Sequence, residues 1–306
     1  MLTGMETLYD MHCHLGFTPD PARTAAEAAA RGIGGLSCTV TPAEYEALTP
    51  QLATASSMRL ALGAHPWWIA DGRIDEAQLT TFCALAPGAR FIGEIGLDFA
   101  GARDTGESRA RQLAAFERIL AACDEVATDL TALYAFVASD ETTPSTALAT
   151  TAAGNRTAAS KATVSANTPL PKLLSIHAVN AAGDVLDALQ AAGTLVRHQV
   201  IFHWFSGSSD DLQRALRAGC FFSVGPRMLA SRRGREYARQ IPFDRLLLET
   251  DMPARAGEPL PAEIWEAELR NALAGIAQLK DVDPTTLAQR LAATSEALLT
   301  PADSTS

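Results

Sequence analysis

The chain has 306 residues, 47% of them hydrophobic and 20% charged. These values suit one large or two ordinary domains with a sizeable core and exclude collagen-like, wholly disordered and coiled-coil sequences. With 25 Lys+Arg against 35 Asp+Glu the net charge is −10, which argues against coating nucleic acid or membrane through bulk positive charge.

Short apolar runs alternate with helical stretches along the whole chain. The first predicted strand, Leu8–His12, runs into Asp10-Met11-His12-Cys13-His14. Period-2 alternation sets His12 and His14 on one face and Cys13 on the other, against the core. A second predicted strand, Gly35–Val40, follows. The third, Arg59–Gly63, leads into Gly63-Ala64-His65-Pro66-Trp67-Trp68, which places His65 and two tryptophans just past a strand end. The fourth, Phe91–Gly96, contains Glu94 and is followed by Asp98, a residue readable either as support for a metal site or as a turn residue. A helical face with Leu113, Phe116, Leu120 and Cys123 comes next.

The rhythm then breaks. Residues 138–168 are rich in Ala, Thr and Ser and lack any aromatic. So little apolar bulk cannot offset ordering entropy, so a disordered, dispensable insertion is expected there. The fifth strand, Leu173–His177, ends in a histidine. His198 precedes the sixth and, at the wrong end, is expected on the surface. The sixth strand, Val200–Phe205, contains His203, and alternation predicts that its neighbour Trp204 packs outward into the helix layer. After the seventh strand, Phe221–Val224, the segment Pro226–Ile241 carries five arginines against Glu236 alone. Of these, Arg227, Arg232 and Arg233 are the candidate phosphate contacts, since guanidinium matches phosphate oxygens. The eighth strand, Leu246–Thr250, is closed by Asp251, with Glu249 two residues earlier. A helical face with Leu269, Leu273, Ile276 and Leu279 ends the pattern.

Eight alternating units predict an α/β fold, a (β/α)8 TIM barrel forming a single domain over 1–306, interrupted only between its fourth and fifth units. A doubly wound sheet is the alternative, but no G-x-G-x-x-G follows the first strand. In such a barrel the strand C-terminal ends converge on one face. His12, His14, Glu94, His177, His203 and Asp251 would meet there as a mixed nitrogen and oxygen site suited to Zn²⁺ or Mn²⁺. No apolar run approaches the ~18 residues of a membrane span. The first residues lack the pattern of a secretory leader, and five cysteines without a C-x-x-C pair fit reduced thiols. The expectation is a cytoplasmic chain with no membrane contact and no obligate protein partner.

The stretches YDMHCHLGF, GAHPWW, FIGEIGLDF, LLSIHA, FHWFSGS and LLLETDMP, in this order, resemble the TatD-type metal-dependent deoxyribonucleases among the amidohydrolase-like barrels. The resemblance implies two divalent ions (Zn, Mn or Mg). His12, His14 and Asp251 would hold one and His177 and His203 the other, with Glu94 bridging and His65 approaching the substrate phosphate. It implies hydrolysis of DNA phosphodiester bonds, at ends or in single strands, by a water that the ions activate and Asp251 orients and deprotonates. The chain departs from the pattern at Val179, where many relatives carry an arginine two residues after the fifth-strand histidine, and in its insertion. Hydrolysis of a small amide, lactone or ester is the alternative reading, and a catalytically silent scaffold a third.

Overall fold

The computed structural model describes residues 7–125 and 171–300. The expected insertion at 138–168 lies outside the described residues. Eight strands follow in chain order: β1 (Leu8–Cys13), β2 (Ile33–Cys38), β3 (Met58–Ala61), β4 (Phe91–Asp98), β5 (Leu173–Val179), β6 (Gln199–His203), β7 (Phe221–Val224) and β8 (Leu246–Leu248). Every neighbouring pair is parallel, in the runs β1-β2-β3 and β4-β5-β6-β7-β8. Backbone bonds join the two runs on both sides. Leu62 N donates to Phe91 O at 3.0 Å and Gly93 N to Leu62 O at 2.8 Å; Asp251 N donates to His12 O at 2.9 Å and His14 N to Met252 O at 2.8 Å. The sheet therefore closes, and the fold is the expected (β/α)8 barrel.

Helices alternate with the strands, and their starts carry the side chains such starts need. Asp20 accepts from Arg23 N, Thr105 from Ser108 N, and Ser208 with Asp211 forms a reciprocal capping box. Helix Gly106–Cys123 buries Phe116, Leu120 and Cys123 against the barrel, as the helical periodicity predicts. Inside the barrel, Met11, Leu36, Ala61, Leu173, Ile201 and Leu247 form one buried layer, and Leu298 and Leu299 of the last helix pack against it. Larger apolar contacts fill the space between strands and helices. The upper end of the barrel, by contrast, is polar.

Two strands end earlier than their apolar patterns suggest. β6 stops at His203 because Trp204 adopts φ +39°, and β8 stops at Leu248, ahead of Asp251 at φ +56°. Left-handed backbone breaks strand alternation, so both side chains are re-aimed. β4 is seated by close backbone approach. A Cβ on Gly63 would lie 1.6 Å from Thr39 O, and one on Gly96, at φ +135°, 2.0 Å from His177 O. Glycine at these positions lets β4 lie tightly between its neighbours and carry Glu94 into the middle of the barrel mouth.

Candidate metal centre

Glu94 is buried, and its two oxygens face different histidines. Oε2 lies 3.5 Å from both His12 Nε2 and His14 Nε2. Oε1 lies 2.7 Å from His177 Nδ1, 2.9 Å from His203 Nε2 and 3.1 Å from His65 Nε2. Asp251 Oδ1 completes the first side, 3.2 Å from His14 Nε2 and 3.9 Å from His12 Nε2. Three sets, His12–His14–Asp251, His12–Glu94–His203 and His65–Glu94–His177, each bring one ligand atom per residue within 4.8 Å of the others. All six residues expected to ligate metal are therefore gathered at one point.

Outer contacts fix the rings. His14 Nδ1 lies 3.0 Å from the Cys38 carbonyl, which can only accept. In the neutral ring the proton is thus on Nδ1, which leaves the Nε2 lone pair to face the site. His12 Nδ1 lies 2.8 Å from Ser175 Oγ, while its Nε2 is buried with no hydrogen-bond partner. A buried imidazole nitrogen left unpaired is costly unless something else takes its lone pair, so this donor set fits a cation. His65 is the opposite case. Its Nδ1 accepts from the Trp67 backbone N–H at 3.1 Å, capping the short helix Pro66–Ala70. The neutral ring then carries its proton on Nε2 and presents a donor, not a lone pair.

Charge follows the same geometry. Burial works against the protonated ring of His14, but Asp251 and Glu94 outweigh it and raise its pKa to about 9. His177 also reaches about 9 against burial, because Nε2 faces Asp98 at 2.9 Å and Nδ1 faces Glu94. His12 falls to about 3 through burial and the His203 ring stacked 3.8 Å away. Burial also opposes ionisation of Glu94 and Asp251, yet the surrounding imidazoles hold Glu94 well below the carboxylate range and Asp251 at about 2.

Ser175 and Arg103, around the centre, were not singled out by sequence, whereas Asp98 and Glu249 were left with two readings each. Ser175 orients His12. Asp98, ambiguous in the sequence, accepts from Trp67 Nε1 at 2.5 Å and from Arg103 Nε at 3.1 Å besides its contact with His177. Glu249 pairs with the neighbouring strand, accepting from Ser223 Oγ at 2.5 Å. Above the centre opens a cavity of about 790 Å³ lined by Trp67, Trp68, Val179, Trp204, Arg103 and Arg227 among others. Arg227 Nη1 reaches Asp251 Oδ2 at 2.9 Å. Arg232 and Arg233 are exposed on helix Arg232–Gln240 and do not line this cavity.

Two expectations need correction. Trp204 does not enter the helix layer; its left-handed backbone turns it into the cavity wall, 37% exposed. His198 is at the far end of the barrel, as expected, but buried. Its Nδ1 accepts from Lys172 N at 3.2 Å and its Nε2 lies 3.0 Å from Asp124. Two polar partners make that burial affordable.

A closed parallel barrel with histidines and carboxylates gathered at its upper strand ends defines the amidohydrolase-like class. Within it, the chain belongs to the family described as TatD related DNase, which matches residues 9–131 and 161–300. Deoxyribonuclease TATDN3 of Homo sapiens is 31% identical over 85 residues, 28% of this chain and 30% of that protein. The 3'-5' ssDNA/RNA exonuclease TatD of Dickeya dadantii is 42% identical over 71 residues, 22% of this chain and 24% of that protein. The chain thus aligns with less than a third of the length of these curated relatives. Two solved structures share the fold over nearly the whole chain. The TatD homologue YJJV of Escherichia coli has TM-score 0.67 and 18% identity, covering 96% of this chain and 98% of that one. A TatD family hydrolase of Entamoeba histolytica has TM-score 0.64 and 14% identity, covering 97% and 99%.

Proposed function

We propose that this protein is a divalent-metal-dependent phosphodiesterase that cleaves DNA, at single-stranded ends, and works in a reducing compartment such as the cytoplasm. The observation that carries the reading is the division of the Glu94 carboxylate, one oxygen toward His12 and His14 and the other toward His177 and His203. Such a carboxylate is suited to bridge two ions. His12, His14 and Asp251 would hold one and His177 and His203 the other, with Zn, Mn or Mg all compatible with nitrogen and oxygen donors. Bound there, the pair would acidify water and neutralise charge on a phosphoryl group.

The chain's own groups then do the rest. Asp251 orients the attacking water and takes its proton at a carboxylate oxygen as the water oxygen bonds to phosphorus; the P–O ester bond breaks and the leaving sugar oxygen takes up a proton from the Asp251 carboxyl or from solvent water. His65, neutral through burial despite Glu94 beside it, donates its Nε2 proton as a hydrogen bond to a phosphate oxygen. Arg227 holds the other Asp251 oxygen and offers its remaining N–H groups to the strand. Arg232 and Arg233, farther out, would meet only a longer strand. No helix among the described residues is long and apolar enough to cross a membrane, and the five cysteines are free, which suits a reducing compartment.

Asp251→Asn tests this reading. It should keep the fold and lower turnover of single-stranded DNA by ~10²–10⁴. Val179, an apolar residue in the cavity wall, favours the second reading, a small amide, lactone or ester substrate. A metal-loaded enzyme that hydrolyses members of such a panel and leaves DNA intact would establish that reading instead.

A further inference from the structure

Among the described residues, two of the few exposed large hydrophobic side chains, Trp67 at 43% and Trp204 at 37%, stand on the rim of one cavity. Each is paired with a guanidinium. Arg103 lies over the Trp67 ring at 4.5 Å and Arg227 over the Trp204 ring at 5.8 Å. Both arginines line the same cavity. The pairs rise from different strands, Trp67 just after β3 and Trp204 just after β6, so they stand on separate arcs of the mouth with the metal centre between them. Trp67 is 6.2 Å from the His177 ring, centroid to centroid, which is within one nucleotide of the proposed reaction point.

The Trp204 backbone adds an independent sign. A non-glycine residue at φ +39° carries strain of about 1 kcal/mol or more. Strand alternation would have buried this indole between sheet and helices; the strained turn instead spends that energy to present it to the cavity. Such outliers concentrate where a site needs them. The arginines keep capacity for an anion. Arg103 uses Nε on Asp98 and Arg227 uses Nη1 on Asp251, leaving further N–H groups on each fork.

We propose that Trp67 with Arg103 and Trp204 with Arg227 are two nucleotide-stacking platforms that seat unpaired bases on either side of the phosphate being cut. The indole takes the base face and the guanidinium the adjoining phosphate. An indole accepts any base, so the platforms would select strandedness rather than sequence. A base inside a duplex has both faces covered and a terminal pair offers only one, so a duplex cannot fill both platforms, which disfavours paired substrate. This inference rests on the phosphodiesterase reading above.

The test uses the metal-loaded enzyme and a short phosphorothioate-linked oligothymidylate, with a second oligomer whose terminal nucleotides are abasic. Trp204→Ala should raise Kd for the ordinary oligomer about tenfold, the scale of one lost base–aromatic stack, and leave Kd for the abasic one within roughly twofold on the same scale. Trp67→Ala should do the same. Trp67→Phe, which keeps an aromatic face but loses the N–H bond to Asp98, should retain most of the affinity. Equal losses for both oligomers would overturn the proposal, as would a Phe variant as weak as the Ala variant or a blunt duplex bound as tightly as the single strand. Cleavage of an ordinary oligonucleotide by the unaltered enzyme is followed in parallel. Cleavage with tryptophan variants that bind normally removes the platforms alone, whereas no binding and no cleavage removes the phosphodiesterase reading with them.

Discussion

His14 and His177 hold their protons unusually firmly in the metal-free chain, each to about pH 9, and a ligating imidazole must be neutral. Metal uptake near pH 7 should therefore expel protons, and affinity should climb as pH rises from 7 toward 9. The sign is the same for stability. A histidine whose folded pKa exceeds its ordinary 6.5 stabilises the fold below that value and loses the contribution as pH rises through about 9. The metal-free protein should soften across that window while the stabilising increment from metal grows. Calorimetric titrations in buffers of different ionisation heat read the proton release directly; heats identical in all buffers would contradict it. Ser175 offers a second check. Removing its hydroxyl frees the His12 ring, and Ser175→Ala should weaken metal binding by ~10–100-fold, the usual cost of a lost outer contact. This residue was legible in principle, since it lies two positions before His177 and so shares its strand face. Arg103 was not: no periodicity connects a residue in the loop after β4 with an indole in the loop after β3.

Element by element, the sequence pattern located every strand because buried parallel strands are short, nearly continuous apolar runs bounded by polar turns. Their ends were less visible. Trp204 and Asp251 leave strand geometry through positive φ, which neither side chain announces; the facing of Trp204 was misread, whereas Asp251 still turns toward His12 and His14. The seating of β4 also depends on backbone approach that apolar patterning does not register. Gly96→Ala would press a methyl group against the His177 carbonyl and strain a left-handed φ together. It should cost at least about 2 kcal/mol, seen as a lowered midpoint of thermal unfolding, and loosen the metal centre because His177 and Glu94 move with it. An unchanged midpoint would mean that β4 can shift away without consequence.

For the whole molecule, the polarity of the barrel decides what each end can tolerate. The cavity and the candidate metal centre occupy the upper end. Lys172, at the opposite end, is buried and donates to the carbonyls of Ala86 and Ala89, both at 2.8 Å. His198 accepts from the Lys172 backbone and meets Asp124. Residues 124 and 172 flank the stretch that contains the Ala/Thr-rich insertion, and both are held by polar contacts at the end of the barrel far from the metal centre. Replacing 138–168 with a short Gly/Ser linker should leave metal content and turnover unchanged, because loop length changes closure cost by only ~0.6 kcal/mol per doubling. A large loss of turnover with the barrel intact would place that stretch in the active site.

The same anchorage separates the order of the chain from the shape it builds. Thr7 and Thr300 line one depression at the lower end of the barrel, so a short bridge could join them. The polypeptide could then be opened beside Asp124 and Lys172, each already held by its own polar contacts. A circular permutant beginning before β5 and ending after helix Gly106–Cys123 would still have to close β4 against β5, with no direct covalent connection between them, through ladder bonds such as Leu173 N to Arg90 O at 3.0 Å.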